Sequence, residues 1–77
     1  MIVPSQIRAA RAMLGMKQTD LAHAAGISMP TLLAFEAARS DARISTVLAL
    51  REALEARGIR FECTAHAYGV WITETAA

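Results

Sequence analysis

Between Gln18 and Phe35 the chain reads Gln-Thr-Asp-Leu-Ala-His-Ala-Ala-Gly-Ile-Ser-Met-Pro-Thr-Leu-Leu-Ala-Phe. No other segment restricts the fold as much. Leu21, Ala22 and Ala25 share one helical face, and Asp20 stands in the first turn, where a helix dipole favours an anion. Gly26 then interrupts the pattern with a residue that tolerates positive φ. Ser28 is a good N-cap, and Pro30 fits a first helical turn, where its missing N–H costs nothing. Leu32 and Phe35 start a second inward face. Two short helices joined by so tight a turn cross closely at a large angle, so the residue at their contact must be small. Ala22 meets that need, and Leu21, Ile27, Leu32 and Phe35 close a core behind the turn.

The flanking sequence supplies the remaining elements. Ser5 is placed to cap a first helix whose apolar face carries Ile7, Ala10, Met13 and Leu14, and Gly15 is a natural left-handed stop. The spacing predicts a second helix over 18–25, a third over 28–37 and a polar link from Ala38 to Arg43. A fourth helix over 45–57 presents Val47, Leu48, Leu50 and Leu54, and Gly58 ends it. The period then changes: Ile59, Phe61 and Cys63 alternate with Arg60 and Glu62, and Val70-Trp-Ile-Thr73 is rich in β-formers. Two short antiparallel strands are expected there. The expectation is a mainly α fold, with helices over 1–58 and a strand or hairpin tail over 59–77 belonging to the same single domain. There is no internal repeat and no low-complexity segment.

A chain of 77 residues holds one small domain, and such a domain buries only roughly 60% of its unfolded-chain surface. Oligomerisation is therefore expected. Apolar residues make up 55% and charged residues 19%, a globular rather than a disordered balance. The net charge of +1 is small, but it is unevenly distributed. Through Arg51, the cations Arg8, Arg11, Lys17, Arg39, Arg43 and Arg51 face Asp20, Glu36 and Asp41, a net +3. After it, Arg57 and Arg60 face Glu52, Glu55, Glu62 and Glu74, a net −2. The positive field lies on the N-terminal part. One cysteine, Cys63, cannot form an internal disulfide and fits a reducing cytoplasm. The opening MIVPSQIRAARAM does not read as a signal peptide, and no run approaches the ~20 apolar residues of a membrane span.

The combined pattern resembles the lambda-repressor-like, or Cro/CI (XRE-type), family of DNA-binding domains. The likeness covers residues 5–57: helix one, the Gln-x-x-Leu-Ala opening, the Gly-Ile-Ser turn, the Thr-Leu-x-x-Phe-Glu helix and the closing helix. The stretch Ala-Leu-Glu-Ala-Arg-Gly-Ile-Arg-Phe is similar to a subgroup of short bacterial XRE-type regulators in which a terminal strand or hairpin follows the helices. The resemblance implies a four-helix, lambda-repressor-like helix-turn-helix domain with a short C-terminal β-hairpin. It implies a cytoplasmic transcriptional regulator, a repressor or autoregulator, that binds double-stranded DNA as a homodimer with helix 28–37 in the major groove. Carried over by position, the resemblance implies that Ser28, Met29, Pro30, Thr31, Leu33 and Ala34 face the DNA. Lys17 and Gln18 meet phosphates, as do Arg39 and Arg43.

Two positions depart from the family pattern: Lys17 replaces the usual Ser or Thr, and Ala38 stands where Gly is common. A third departure matters more. Positions 29–34 hold no Arg, Gln or Asn, the side chains that read bases by bidentate hydrogen bonds. Thr31 offers one hydroxyl, and Met29, Leu33 and Ala34 suit a thymine methyl group. The remaining specificity would come from phosphate positioning and DNA shape. A competing reading therefore stays open: a protein-binding module, such as an anti-activator or antitoxin-type protein masking a second regulatory protein, with the apolar helix face as its interface.

A lone two-stranded hairpin is marginal in water and leaves unpaired edges. The tail is accordingly expected to join two copies, with Ile59, Phe61, Val70, Trp71 and Ile72 at the joint and Phe61 packing with Trp71 across it. Other signals carry little. His23 lies on the outer face of helix two. Cys63 and His66 fall short of the four ligands of a structural zinc, so no metal or cofactor is expected. Glu52 and Glu55 are solvent charges one turn apart, no glycine-rich phosphate loop exists, and catalysis is not expected.

Overall fold

The computed structural model describes residues 2–38 and 42–73. Helix α1 spans Pro4–Leu14. It does not start from a Ser5 cap. Pro4 pre-sets φ for a first turn, so the helix begins there, and Gln6 closes its end. Gln6 Oε1 accepts the Val3 N–H at 2.9 Å, and the Gln6 N–H donates to Val3 O at 3.0 Å. The buried stripe of α1 runs through Ile7 and Ala10 to half-buried Leu14. Met13 falls about 100° to one side of Leu14 on the helix and is 46% exposed. It belongs to the surface, not to the core face expected for it.

Helices α2 (Gln18–Ala25) and α3 (Met29–Glu36) follow as the sequence predicts, with Ala37 as the C-cap of α3. Helix α4 spans Ile44–Glu55, starting one residue and ending two residues before the expected bounds. Its inward stripe is Val47, Leu50 and Leu54, joined by Ala53. Leu48 lies off that stripe and is 49% exposed, which corrects its expected burial.

Past α4 the chain reverses at Gly58, with φ 92°. A Cβ there would stand 2.9 Å from Thr73 O, while the Thr73 N–H donates to Gly58 O at 2.8 Å. Both the left-handed backbone and this approach require glycine. Strands β1 (Ile59–Cys63) and β2 (Tyr68–Ile72) pair antiparallel, with Phe61 opposite Val70 and Arg60 opposite Trp71. β2 begins two residues before the expected Val70.

The hairpin lies on the chain's own helices. α1 packs against β2, and α4 reaches β1. Gln6 Nε2 donates to Glu62 O at 3.1 Å and to Gly69 O at 3.0 Å, tying α1 to both strands. Ile59 is 1% exposed and completes a core built from Ile2, Ile7, Leu21, Leu32, Phe35 and Leu50, with Phe61 and Val70 packed against it. The Ile59 side chain, expected at a joint between copies, is thus enclosed by its own chain. Within one chain Phe61 and Trp71 lie on opposite faces of the hairpin, because Phe61 shares a face with its partner Val70 and Trp71 is the next residue along β2. Among the described residues, no helix is long and apolar enough to cross a membrane.

Candidate nucleic-acid interface

The α2–α3 turn sets the geometry of the site. Ala22 is buried on α2, which packs against α3 and α4. Gly26, with φ 68°, caps α2: its N–H donates to His23 O at 3.2 Å, and the Ile27 N–H donates to Ala22 O at 3.0 Å. A Cβ on Gly26 would meet nothing within 4 Å, so backbone angle rather than space selects glycine here. Half-buried Ile27 packs on the core behind the turn.

Ser28 then caps α3. Its Oγ accepts the Thr31 N–H at 3.3 Å and lies 2.8 Å from Thr31 Oγ1. Leu32, Phe35 and Glu36 face inward, and half-buried Met29 packs against the same core. Met29 is therefore turned partly away from the expected reading face. Ser28, Pro30, Thr31 and Leu33 are exposed and Ala34 is half-buried. The outward surface of α3 is thus two hydroxyls, a proline ring and the Leu33 side chain, which is 42% exposed.

The far end of α3 is held by a polar cluster that sequence reasoning missed. Arg11 Nε donates to Glu36 Oε2 at 2.7 Å and Arg11 Nη2 to Glu36 Oε1 at 2.9 Å. Arg8 Nη1 donates to the Glu36 backbone oxygen, and Arg11 Nη1 to Met16 O at 3.2 Å. Gln18 Nε2 donates to Glu36 Oε1 at 3.0 Å. Burial alone raises the Glu36 carboxyl, but the hydrogen bonds from Arg11 and Gln18 and the charges of Arg11 and Arg8 outweigh it and hold the group below its ordinary value. Helices α1, α2 and α3 are thereby fastened at one carboxylate. Gln18, expected at a phosphate, is half-buried and commits one amide N–H to Glu36. The available clue was a carboxylate next to Phe35 on the inward side of an otherwise apolar helix.

The same cluster redistributes the charge. Arg8 and Arg11 serve α3 internally, and Arg51 Nε pairs with Glu55 Oε2 at 3.1 Å. Among the described residues of the N-terminal part, Lys17 and Arg43 are the cations that enter none of these contacts, and both are exposed. Each stands at a helix start, Lys17 as the N-cap of α2 and Arg43 as the N-cap of α4. Arg39 lies outside the described residues. Arg43, Ala42 and Thr46 face Pro30, Thr31, Ala34 and Phe35 across an open cleft of about 500 Å³ beside α3. The arrangement offers a shallow helix face with the positive start of α4 across the cleft.

A family model described as Helix-turn-helix matches residues 7–59. No curated protein matches the chain.

Proposed function

The chain belongs to the Cro/CI (XRE-type), lambda-repressor-like helix-turn-helix family, and from that membership we propose that it represses transcription as a homodimer, including that of its own gene. DNA binding and regulation are what the family does; the operator-level reading is drawn from α3. The observation that carries it is the support of α3 at both ends, by the Ser28 cap and the Glu36 cluster, with Ser28, Pro30, Thr31 and Leu33 left outward. A reading helix must be held rigidly to bring its side chains to base edges. In this reading Thr31 offers a hydroxyl to a base edge while Leu33 and Ala34 meet thymine methyl groups. Met29 borders the contact, and Lys17, Arg39 and Arg43 take phosphates. Residues 1–58 carry the DNA contacts and 59–77 the subunit contact within one domain acting in the cytoplasm.

Exposed Leu33, on a face without bidentate base readers, supports a second reading. There the same face covers a partner regulatory protein. A binding isotherm on the DNA upstream of the protein's own gene, repeated at several salt concentrations, tests the first reading. Tight binding that weakens steeply with salt is expected. Absence of binding at low salt, with a regulatory protein captured through Leu33, would overturn it.

A further inference from the structure

We infer that the second copy joins edge to edge along β1, with the two-fold axis at Phe61. The inference deepens the homodimer reading above and rests on it. Three observations lead to this seam. First, the described sheet has two strands, so β1 is paired along one edge only and no described strand lies along the other. Second, the register fixes which backbone groups face that edge. Thr73 donates to Gly58 O and Thr64 to Ala67 O, both at 2.8 Å, at the two ends of the ladder. Hydrogen-bonded pairs alternate in an antiparallel ladder. Arg60–Trp71 and Glu62–Gly69 are then the inward-bonded pairs, and the Phe61 N–H and C=O point to the outer edge. An edge that presents such groups is a template for another strand.

Third, the charges on β1 are self-complementary. Arg60 and Glu62 flank Phe61 on the exposed face of the hairpin. Antiparallel pairing about Phe61 sets Arg60 opposite the partner's Glu62 and Glu62 opposite the partner's Arg60. Centring the pair on Arg60 or on Glu62 instead sets like charges face to face, which opposes a ladder. The β2 sequence Tyr-Gly-Val-Trp-Ile carries no charge and gives no comparable selection. The β1 seam turns two hairpins into one four-stranded sheet. It relates the two α3 helices by a two-fold axis, as a pseudo-palindromic operator requires.

Charge reversal tests the seam. Arg60→Glu and Glu62→Arg are made in the full chain, with circular dichroism melting as the check on the fold; both positions are exposed. Sedimentation equilibrium then measures dimerisation of the parent, each variant and their equimolar mixture. The Arg60→Glu chain carries two carboxylates along the seam and the Glu62→Arg chain two guanidinium groups. Each alone is expected to dimerise on the order of tenfold more weakly than the parent, while the mixture pairs unlike charges and regains parental affinity as a heterodimer. A Leu48→Glu variant probes the exposed Ile44 and Leu48 side chains of α4 and is expected to leave dimerisation unchanged. A parent that stays monomeric at high micromolar concentration overturns the homodimer reading and the seam with it. A dimeric parent indifferent to both reversals, or one broken by Leu48→Glu, overturns the seam and leaves the homodimer standing.

Discussion

Arg11 closes on Glu36 through two parallel hydrogen bonds, Nε to Oε2 at 2.7 Å and Nη2 to Oε1 at 2.9 Å. The side chains are 18% and 4% exposed, so this is a partly enclosed pair joining α1 to the last turn of α3. Removing one partner of an enclosed pair leaves a charge without compensation. Arg11→Met is expected to destabilise the fold by about 3 kcal/mol, read from urea melting. A loss near zero would mean that the carboxylate swings into water and that the pair does not anchor α3.

The same carboxylate makes stability depend on pH. Its folded value lies below the ordinary 4.5, so the unfolded chain binds the proton more tightly. The contribution is fully present above that ordinary value and is lost as pH falls through the lowered folded value. Urea midpoints are expected to drop as pH falls below about 4.5. Glu36→Gln is less stable at neutral pH and shows a flatter acid limb than the parent. Parallel limbs for the two proteins would assign the acid sensitivity to other carboxylates.

Ala38 carries a different strain. Its φ is 54°, the one positive value outside glycine among the described residues, just after the Ala37 C-cap of α3. A residue with a Cβ pays about 1–2 kcal/mol to adopt this region, partly offset by the greater freedom that glycine brings to the unfolded chain. Ala38→Gly is expected to raise stability by roughly 0.5–1 kcal/mol. A lower melting temperature in the variant would refute this account of the turn.

The parts of the fold legible in the sequence are those fixed within a few residues. Gly26, the Ser28 cap, the helical period of Leu21 and Leu32, and the switch to alternation at Ile59 are local signals, and α2, α3 and β1 follow them. Choosing the inward member of two adjacent apolar residues depends on the neighbouring element, so helical period alone turns Met13 and Leu48 inward where the structure exposes them. The docking of the hairpin rests on Gln6, whose carbonyl partners lie 56 and 63 positions away. The Glu36 cluster draws its donors from 18, 25 and 28 positions away. No periodicity reports such separations. The Gln18–Glu36 bond is a tie of this kind.

Neighbouring leucines on α3 separate folding from reading. Leu32 is fully buried while Leu33 is 42% exposed. Leu32→Ala is expected to cost about 2–5 kcal/mol. Leu33→Ala is expected to stay within about 0.5 kcal/mol of the parent while changing preference among DNA sites that differ at thymines. Unchanged preference in the Leu33 variant would remove that side chain from the reading face.

Phosphate contacts are tested through salt. Lys17 and Arg43 are exposed and stand at the starts of α2 and α4, Arg43 beside the α3 cleft, whereas Arg8 and Arg11 are engaged with Glu36. Each phosphate neutralised contributes about −0.9 to the slope of log affinity against log salt. Lys17→Ala and Arg43→Ala should therefore each make the slope shallower by roughly one unit per subunit, and weaken specific and random DNA alike. Glu55→Gln, which frees Arg51 from its partner on the far part of α4, should leave the slope unchanged. A slope that ignores Lys17 and Arg43 but responds at Arg51 would move the DNA contact from the α2–α3 face to the other end of α4.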